Sequence, residues 1–452
     1  MSHWISGGAC GPIHRFLVFL PRPWERLQKF MTSDILVVWN FFTDITVVSG
    51  SECRTTRCTL TPEGERLKPL AVKTARIQMS QLNAIDLFCG CGGMSLGAAR
   101  AGFKLALAVD NDSRALASHS RNFPNSRHSS RDLSRTSGSV LLNLAGLKHG
   151  QVDALIGGPP CQGFSSIGRR NHSDPRNQML NHFFRLVTEI NPSIFVIENV
   201  PGILGDKYRD ILQSAESLVT SEYTLLAPYH LRAVDAGAPT VRTRVVIVGF
   251  RNRLAVDAKK FWQHDGLREA APAVRQALDG LPADIHPDPD SSRFGQRTVR
   301  VTRQGSFFEA ATGRIPAGLG DARALNDYKH RGLVSGCIGT RHSHEQQKRY
   351  AALQYGKSDP ATKSVKLDPG GYCPTLRAGT GPDRGSFQAV RPIHYLRPRV
   401  ITPREAARLQ GFPDWYQFDR TKWHTFRQLG NSVSPLVSEF IMKRVARVLT
   451  NG

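Results

Sequence analysis

The sequence predicts an α/β fold, and three observations carry that expectation. Short apolar runs alternate with helix-patterned stretches through residues 83–250, the order that builds a sheet flanked by helices. Two of those runs stop abruptly, at Cys89-Gly90-Cys91-Gly92-Gly93 and at Gly157-Gly158-Pro159-Pro160, because glycine pairs and prolines do not continue a strand. Past residue 250 the alternation gives way to a loop-rich stretch, and regular patterning resumes near residue 396. The expected organisation is an extension over 1–78, an α/β domain over 79–250, a smaller loop-rich domain over 251–395 and a C-terminal segment over 396–452.

Composition narrows the class. The chain has 452 residues and a net charge of +23, which suits a polyanionic partner, nucleic acid before membrane. No run of 18 or more apolar residues is present, so no spanning helix is expected. The eight cysteines are scattered without paired metal-ligand spacing, which fits free thiols in a reducing cytoplasm and no metal. Residues 1–78 lack sustained periodicity, and Met79 stands directly before the first patterned segment. The functional chain is therefore expected to start at Met79.

The first unit reads as strand, glycine loop, helix, strand. Ala84–Phe88 is a short apolar strand holding one acid, Asp86, and Met94–Arg100 is a helix stopped by Gly102. Leu105–Val109 is the second strand, ending in Asp110, roughly 20 residues past Gly90, where an acid can accept from ribose hydroxyls. The spacing departs from G-x-G-x-x-G, since Gly93, Met94 and Ser95 follow Gly90-x-Gly92. With Phe88 at the strand end, that suits one nucleoside without a pyrophosphate, such as S-adenosylmethionine; a nicotinamide dinucleotide is the remote alternative. Ser113–Asn122 is the next helix, and a third strand is expected to end near Arg131-Asp132-Leu133. Asp132 could then meet an adenine amino group, or could simply cap a turn.

Val152–Ile156 is a buried strand leading into the Gly-Gly-Pro-Pro turn, and Cys161 is the first reactive side chain after it. The carboxyl end of a central strand is where open α/β sheets place ligands. A helix starting soon after would favour the thiolate. Ser165 to Asn177, with Arg169 and Arg170, reads as a mobile basic loop able to close over a phosphate backbone. Asn181–Ile190 is helical, and Ser193–Ile197 is another buried strand, ending in Glu198-Asn199 next to the strand that carries Cys161.

An amphipathic helix opens at Lys207-Tyr208 and runs through Leu218, and Tyr223–Leu231 with Val245–Phe250 forms a closing pair of strands. Arg242 and Arg244 alternate around Thr243, so both face one side. In the loop-rich stretch, Arg297, Arg300 and Arg303 are interleaved with phenylalanines, a plausible basic face. Thr375 and Leu376 precede a glycine-rich loop. Thr402-Pro403 with Glu405 starts a helix as a capping box. Asn431 is expected at the glycine-bounded start of the final helix, which ends at Leu449.

Taken in order, these residues resemble the DNA (cytosine-5)-methyltransferase family. The motifs are Asp86-Leu-Phe-Cys-Gly-Cys-Gly-Gly, Pro159-Pro-Cys161-Gln, Glu198-Asn-Val, Arg242-x-Arg244, Arg404-Glu405 and Gly430-Asn-Ser-Val. The likeness covers residues 83–250 and 396–448. It implies a Rossmann-like, S-adenosylmethionine-dependent methyltransferase domain with a mixed sheet, a target-recognition domain over 251–395, and a last helix folded back beside the first motif. It implies catalytic roles for Cys161, Glu198, Arg242 and Arg244. The cofactor would be held by Asp86, Phe88, Gly90, Gly92 and Gly93, by Asp110, Asn111, Asp132 and Leu133, by Pro160 and Met179, and by Asn431, Ser432 and Val433. DNA would meet Ser165, Arg169, Arg170, Arg297, Arg300, Arg303, Thr375 and Leu376. Two departures touch the pocket: Ala236 stands where the family has an aromatic residue, and Thr240 where it has Gln.

The implied chemistry is transfer of a methyl group to carbon 5 of a cytosine flipped out of duplex DNA, through a covalent adduct of Cys161 with carbon 6. The protein would act as a monomer, with a cognate restriction endonuclease as a candidate partner. The same chemistry on transfer RNA and a catalytically silent DNA-binding protein are the alternatives. The arginine-bearing insert argues against the first, and the intact Cys161, Glu198 and Arg244 against the second.

Overall fold

The computed structural model describes residues 28–32, 35–40, 44–49, 81–160, 178–263, 270–285, 287, 294–300, 303–379 and 390–451. The chain falls into two compact units, 1–80 and 81–452. In the first, Gln28–Thr32, Ile35–Asn40 and Asp44–Ser49 pair antiparallel in sequence order. The sequence was expected to show no sustained pattern here. The Ile-Leu-Val-Val-Trp and Ile-Thr-Val-Val runs are nonetheless rich in the β-branched residues that suit strands. Met79, the expected start, lies outside the described residues.

The second unit is built on an eight-stranded mixed sheet. Its strands are β1 (Asn83–Leu87), β2 (Lys104–Val109), β3 (Arg127–Ser129), β4 (Ala154–Gly157), β5 (Ile194–Asn199), β6 (Tyr223–Leu225), β7 (Tyr229–Arg232) and β8 (Thr243–Arg251). They lie in the order β7-β8-β5-β4-β1-β2-β3, with β6 also paired to β8. The five strands from β5 to β3 run parallel, and β8 is antiparallel to β5. β4 and β5 are buried at every position, as central strands covered on both faces must be.

Helices cover both faces. On one side pack α1 (Gly93–Arg100), α2 (Ser113–Asn122) and the C-terminal helices α6 (Pro403–Leu409), α7 (Lys422–Asn431) and α8 (Pro435–Asn451). On the other pack α3 (Gly138–Ala145), α4 (Gln178–Ile190) and α5 (Arg209–Ser217). The last helix lies along the first: Ser438 Oγ donates to the Met94 carbonyl at 2.7 Å. A methyl group on Gly97 would collide with Ser438, and one on Gly93 with the Val433 carbonyl. The capping box at Thr402 and Glu405 forms as its sequence predicts.

Between β8 and α6 the chain is loop-rich, with short helices such as Ala322–Arg331 and His344–Ala352. Phe307, Phe308, Leu367 and Leu376 join the same core as α1 and α8. Three sequence expectations shift. Tyr223–Leu231, expected as one strand, forms two, β6 and β7. β3 ends at Ser129 rather than near Leu133, because the Asp132 carboxylate caps a turn by accepting from Ser134 N. Asn431 ends α7 instead of opening the last helix, which starts at Pro435. No helix among the described residues is long and apolar enough to cross a membrane.

Candidate active site

The order of the sheet decides where a ligand can go. From β1 the chain moves outward to β2 and β3, then returns to the other side of β1 for β4 and β5. The reversal leaves a crevice at the carboxyl ends of β1 and β4, the switch point that open sheets use for ligands. A cavity of about 700 Å³ opens there, lined from the ends of β1, β2, β4 and β5 and from α7.

One half of the cavity is shaped by the glycine turn. Phe88, the residue after β1, has φ of 62°, a left-handed conformation that costs a bulky residue about 1–3 kcal/mol and clusters at functional sites. Its ring lines the cavity. Gly90 also has positive φ, 53°, and a side chain there would meet nothing within 4 Å, which leaves the turn open to a flat ligand. Asp110 accepts from Gly90 N and from Asp112 N, each at 2.8 Å. Burial raises its pKa. Asn111, Asp132, Leu133, Pro160 and Met179 complete this wall, with Asn431, Ser432 and Val433 from the end of α7. Hydrogen bonds from Ser134 hold the Asp132 carboxyl below the ordinary range.

Two residues assigned to the cofactor from sequence do not line the cavity. The Asp86 carboxylate is buried behind the turn, where Ser95 Oγ donates to it. Gly92 is required by packing: a methyl group there would strike the Phe123 ring, 2.7 Å away, and the Tyr416 hydroxyl. Both serve the turn from behind.

The other half holds the second chemical group. Glu198, on β5, is buried with Arg244 Nε 2.6 Å from its Oε1. Arg244 reaches it because β8 pairs antiparallel with β5, placing Val246 opposite Glu198. Asn199 Nδ2 donates to the Pro159 carbonyl at 3.3 Å. That bond ties the end of β5 to the turn that leads into Cys161. Cys161 itself, with Ser165, Arg169 and Arg170, lies outside the described residues; Pro160, the last described residue before it, lines the same cavity as Glu198.

Arg242 also lines the cavity, but its Nη1 donates to the Gly430 carbonyl at 2.9 Å and the Leu376 carbonyl at 3.3 Å. It joins β8, α7 and the segment around Leu376. The Leu376 side chain is buried in the core, so Leu376 receives Arg242 through its backbone and does not offer its side chain outward. Thr375 is exposed. Arg297, Arg300 and Arg303 do not line the cavity; Arg303 Nε lies 3.4 Å from Asp279 and Arg297 Nη1 donates to the Gln296 carbonyl. Ala236 is buried, and the buried Thr240 hydroxyl finds no hydrogen-bond partner among the described residues.

Sequence reasoning missed Arg114, His424, Arg427 and Gln428, all of which line the cavity. Arg427 lies 3.6 Å from Asp112. The signal was present: Arg427 precedes Asn431 by one helical turn.

Comparison with known proteins places the chain in a family. The family model for C-5 cytosine-specific DNA methylase matches residues 82–447. The type II methyltransferase M.XorII of Xanthomonas oryzae pv. oryzae is 37% identical over 381 residues, 82% of this chain and 86% of that protein. M.AgeI of Thalassovita gelatinovora is 28% identical, over 80% of this chain and 99% of that protein. Among solved structures, one described as a DNA modification methyltransferase encoded within an E. coli prophage superposes with a TM-score of 0.73 at 44% identity, covering 82% of this chain and 99% of that one. The chain belongs to the C-5 cytosine-specific DNA methylase family and is a DNA (cytosine-5)-methyltransferase.

Proposed function

We propose that the chain methylates a cytosine extruded from a specific duplex sequence, with Cys161 as the nucleophile. The observation that supports this most is the Glu198–Arg244 pair, which shares one cavity with Asp110 and with the Pro159-Pro160 turn. S-adenosylmethionine is the methyl donor of this family. The cavity fits it: Asp110 lies where ribose hydroxyls can donate, the Phe88 ring offers a face to an adenine, and Gly90 leaves the turn open. Asn431, Ser432 and Val433 would hold the amino-acid end. Bound there, the donor supplies an electrophilic methyl group.

Carbon 5 of cytosine is a weak nucleophile, so the ring must be activated first. The Cys161 thiolate adds to carbon 6, forming an S–C bond and pushing the double-bond electrons onto carbon 5 and the N3 edge. Glu198 in its protonated form donates its O–H proton to N3, while its other oxygen accepts from the exocyclic amino group, and the proton passed to N3 neutralises that charge. Arg244 fixes the Glu198 carboxylate and can donate to the base O2. After methylation, loss of the carbon 5 proton restores the double bond and expels the thiolate. None of these contacts can form inside stacked DNA, so the base is flipped out. The names carried by the relatives extend the proposal to a restriction endonuclease acting on the same sequence.

Incubation with a 5-fluorocytosine duplex and cofactor should leave the protein covalently attached, because fluorine cannot leave carbon 5 as a proton does. Cys161→Ser should not be trapped, should lose all but a trace of turnover and should still bind cofactor. Near-normal turnover by that variant would remove Cys161 as the nucleophile. Transfer RNA as the preferred acceptor would remove the duplex.

A further inference from the structure

We propose that Arg377, which the sequence motifs did not single out, clasps a DNA phosphate at the edge of the base pocket. The inference rests on the methyltransferase reading above. Its basis is the way the segment 373–378 is pinned. Cys373 pairs with the segment that leads into β8: Cys373 N donates to the Pro239 carbonyl and Val241 N to the Cys373 carbonyl, both at 2.9 Å. Three residues on, Arg242 holds the Leu376 carbonyl at 3.3 Å. At Gly430 the fit is closer still, since a methyl group there would run into the Arg377–Ala378 peptide. Arg242 and Gly430 both line the cavity. The Arg377 backbone is therefore fixed against two pocket residues rather than carried on a free loop.

The side chains along this segment alternate. Cys373 and Leu376 are buried, while Thr375 and Arg377 are exposed. Burial of Leu376 turns its two neighbours outward, on the rim. Arg377 forms no ion pair with an acid among the described residues, whereas Arg349, Arg397 and Arg399 nearby in sequence are each held by a carboxylate. A guanidinium left outward on a rigid rim is suited to bidentate phosphate binding. A nucleotide drawn into the pocket brings its flanking phosphates to that rim.

The test uses the full chain with two unmethylated substrates, a mixed-sequence duplex library that contains every short site and a cytosine-free duplex, because phosphate contacts are independent of sequence and base contacts are not. Affinity would be measured across a salt series for wild type, Arg377→Gln and Arg377→Lys, with S-adenosylhomocysteine affinity measured on free protein as a check that the pocket is intact. Arg377→Gln should weaken binding roughly fivefold to tenfold near physiological salt and lower the salt slope by about 0.9. Arg377→Lys should keep the slope. An unchanged slope in Arg377→Gln, with a steep wild-type response, overturns the phosphate assignment alone. Loss of sequence preference by Arg377→Lys at unchanged slope overturns it in favour of a base contact. If wild type neither binds nor methylates duplex, the functional reading itself fails.

Discussion

Asp86 is a carboxylic acid held out of water. It lies fully buried, and burial, with Asp110 adding to it, raises its pKa to about 7 against the pull of Ser95. Ser95 Oγ also meets His119 Nε2, and His119 Nδ1 meets His128 Nε2, each at 2.9 Å. Burial keeps His119 neutral by lowering its pKa well below the ordinary value. The chain of hydrogen bonds runs from half-buried His128 to the floor of the glycine turn, so it orients the first turn of α1. An acid with a raised folded pKa gives stability that is present below its unfolded pKa and lost as pH rises through the folded one. Between about pH 5 and pH 8 wild type should therefore lose about 3 kcal/mol relative to Asp86→Asn, at about 1.4 kcal/mol per unit. Urea unfolding of both proteins at the two pH values measures this, and a constant offset would refute it. Asp86 was legible as a motif residue. That it faces away from the cofactor cavity was not, because its partners Ser95 and His119 come from α1 and α2.

At the scale of elements, the contact between α1 and α8 assembles the cofactor wall. Gly97 lets the helices touch at Ser438, and Gly93 lets the Val433 carbonyl approach the first turn of α1. Gly97→Ala must push α8 outward. Overpacking of this kind costs about 1–3 kcal/mol, and here it should also weaken cofactor binding, because Asn431 to Val433 precede α8 directly. Gly102→Ala is the control: its φ of 95° is strained for alanine, but the site is open. It should cost stability and leave cofactor affinity near wild type. Denaturant midpoints and calorimetric titration with S-adenosylhomocysteine separate the two. The elements themselves were readable, since each strand of the parallel sheet is a short apolar run and most helices carry their own caps. Asn431 was misplaced because nothing local to Gly430-Asn-Ser-Val says whether one helix is ending or another starting.

For the whole molecule the dominant property is charge. A net +23 with a partner of regularly spaced phosphates makes affinity fall linearly in log salt. If about six phosphates are neutralised, affinity should drop about a thousandfold between about 50 and 200 mM salt; a flat response would exclude a phosphate-tracking face. Not every arginine belongs to that face. Arg404 and Arg408 are buried, holding the Ser335, Pro413 and Tyr416 carbonyls and the Asp414 carboxylate, so a count of basic residues overstates the DNA-facing charge.

The sequence by itself determined most of the sheet strands, the glycine turn and the family, because each is written in contiguous residues with local preferences. Only the tertiary structure decided that Asp86 and Gly92 support the turn from behind, that Arg242 joins three elements and that Leu376 is buried beside an exposed Arg377. Those roles depend on neighbours many residues away along the chain, and Arg242 reaches both Leu376 and Gly430. Local propensity carries no information about which distant carbonyl a guanidinium will find once the sheet has closed its two faces.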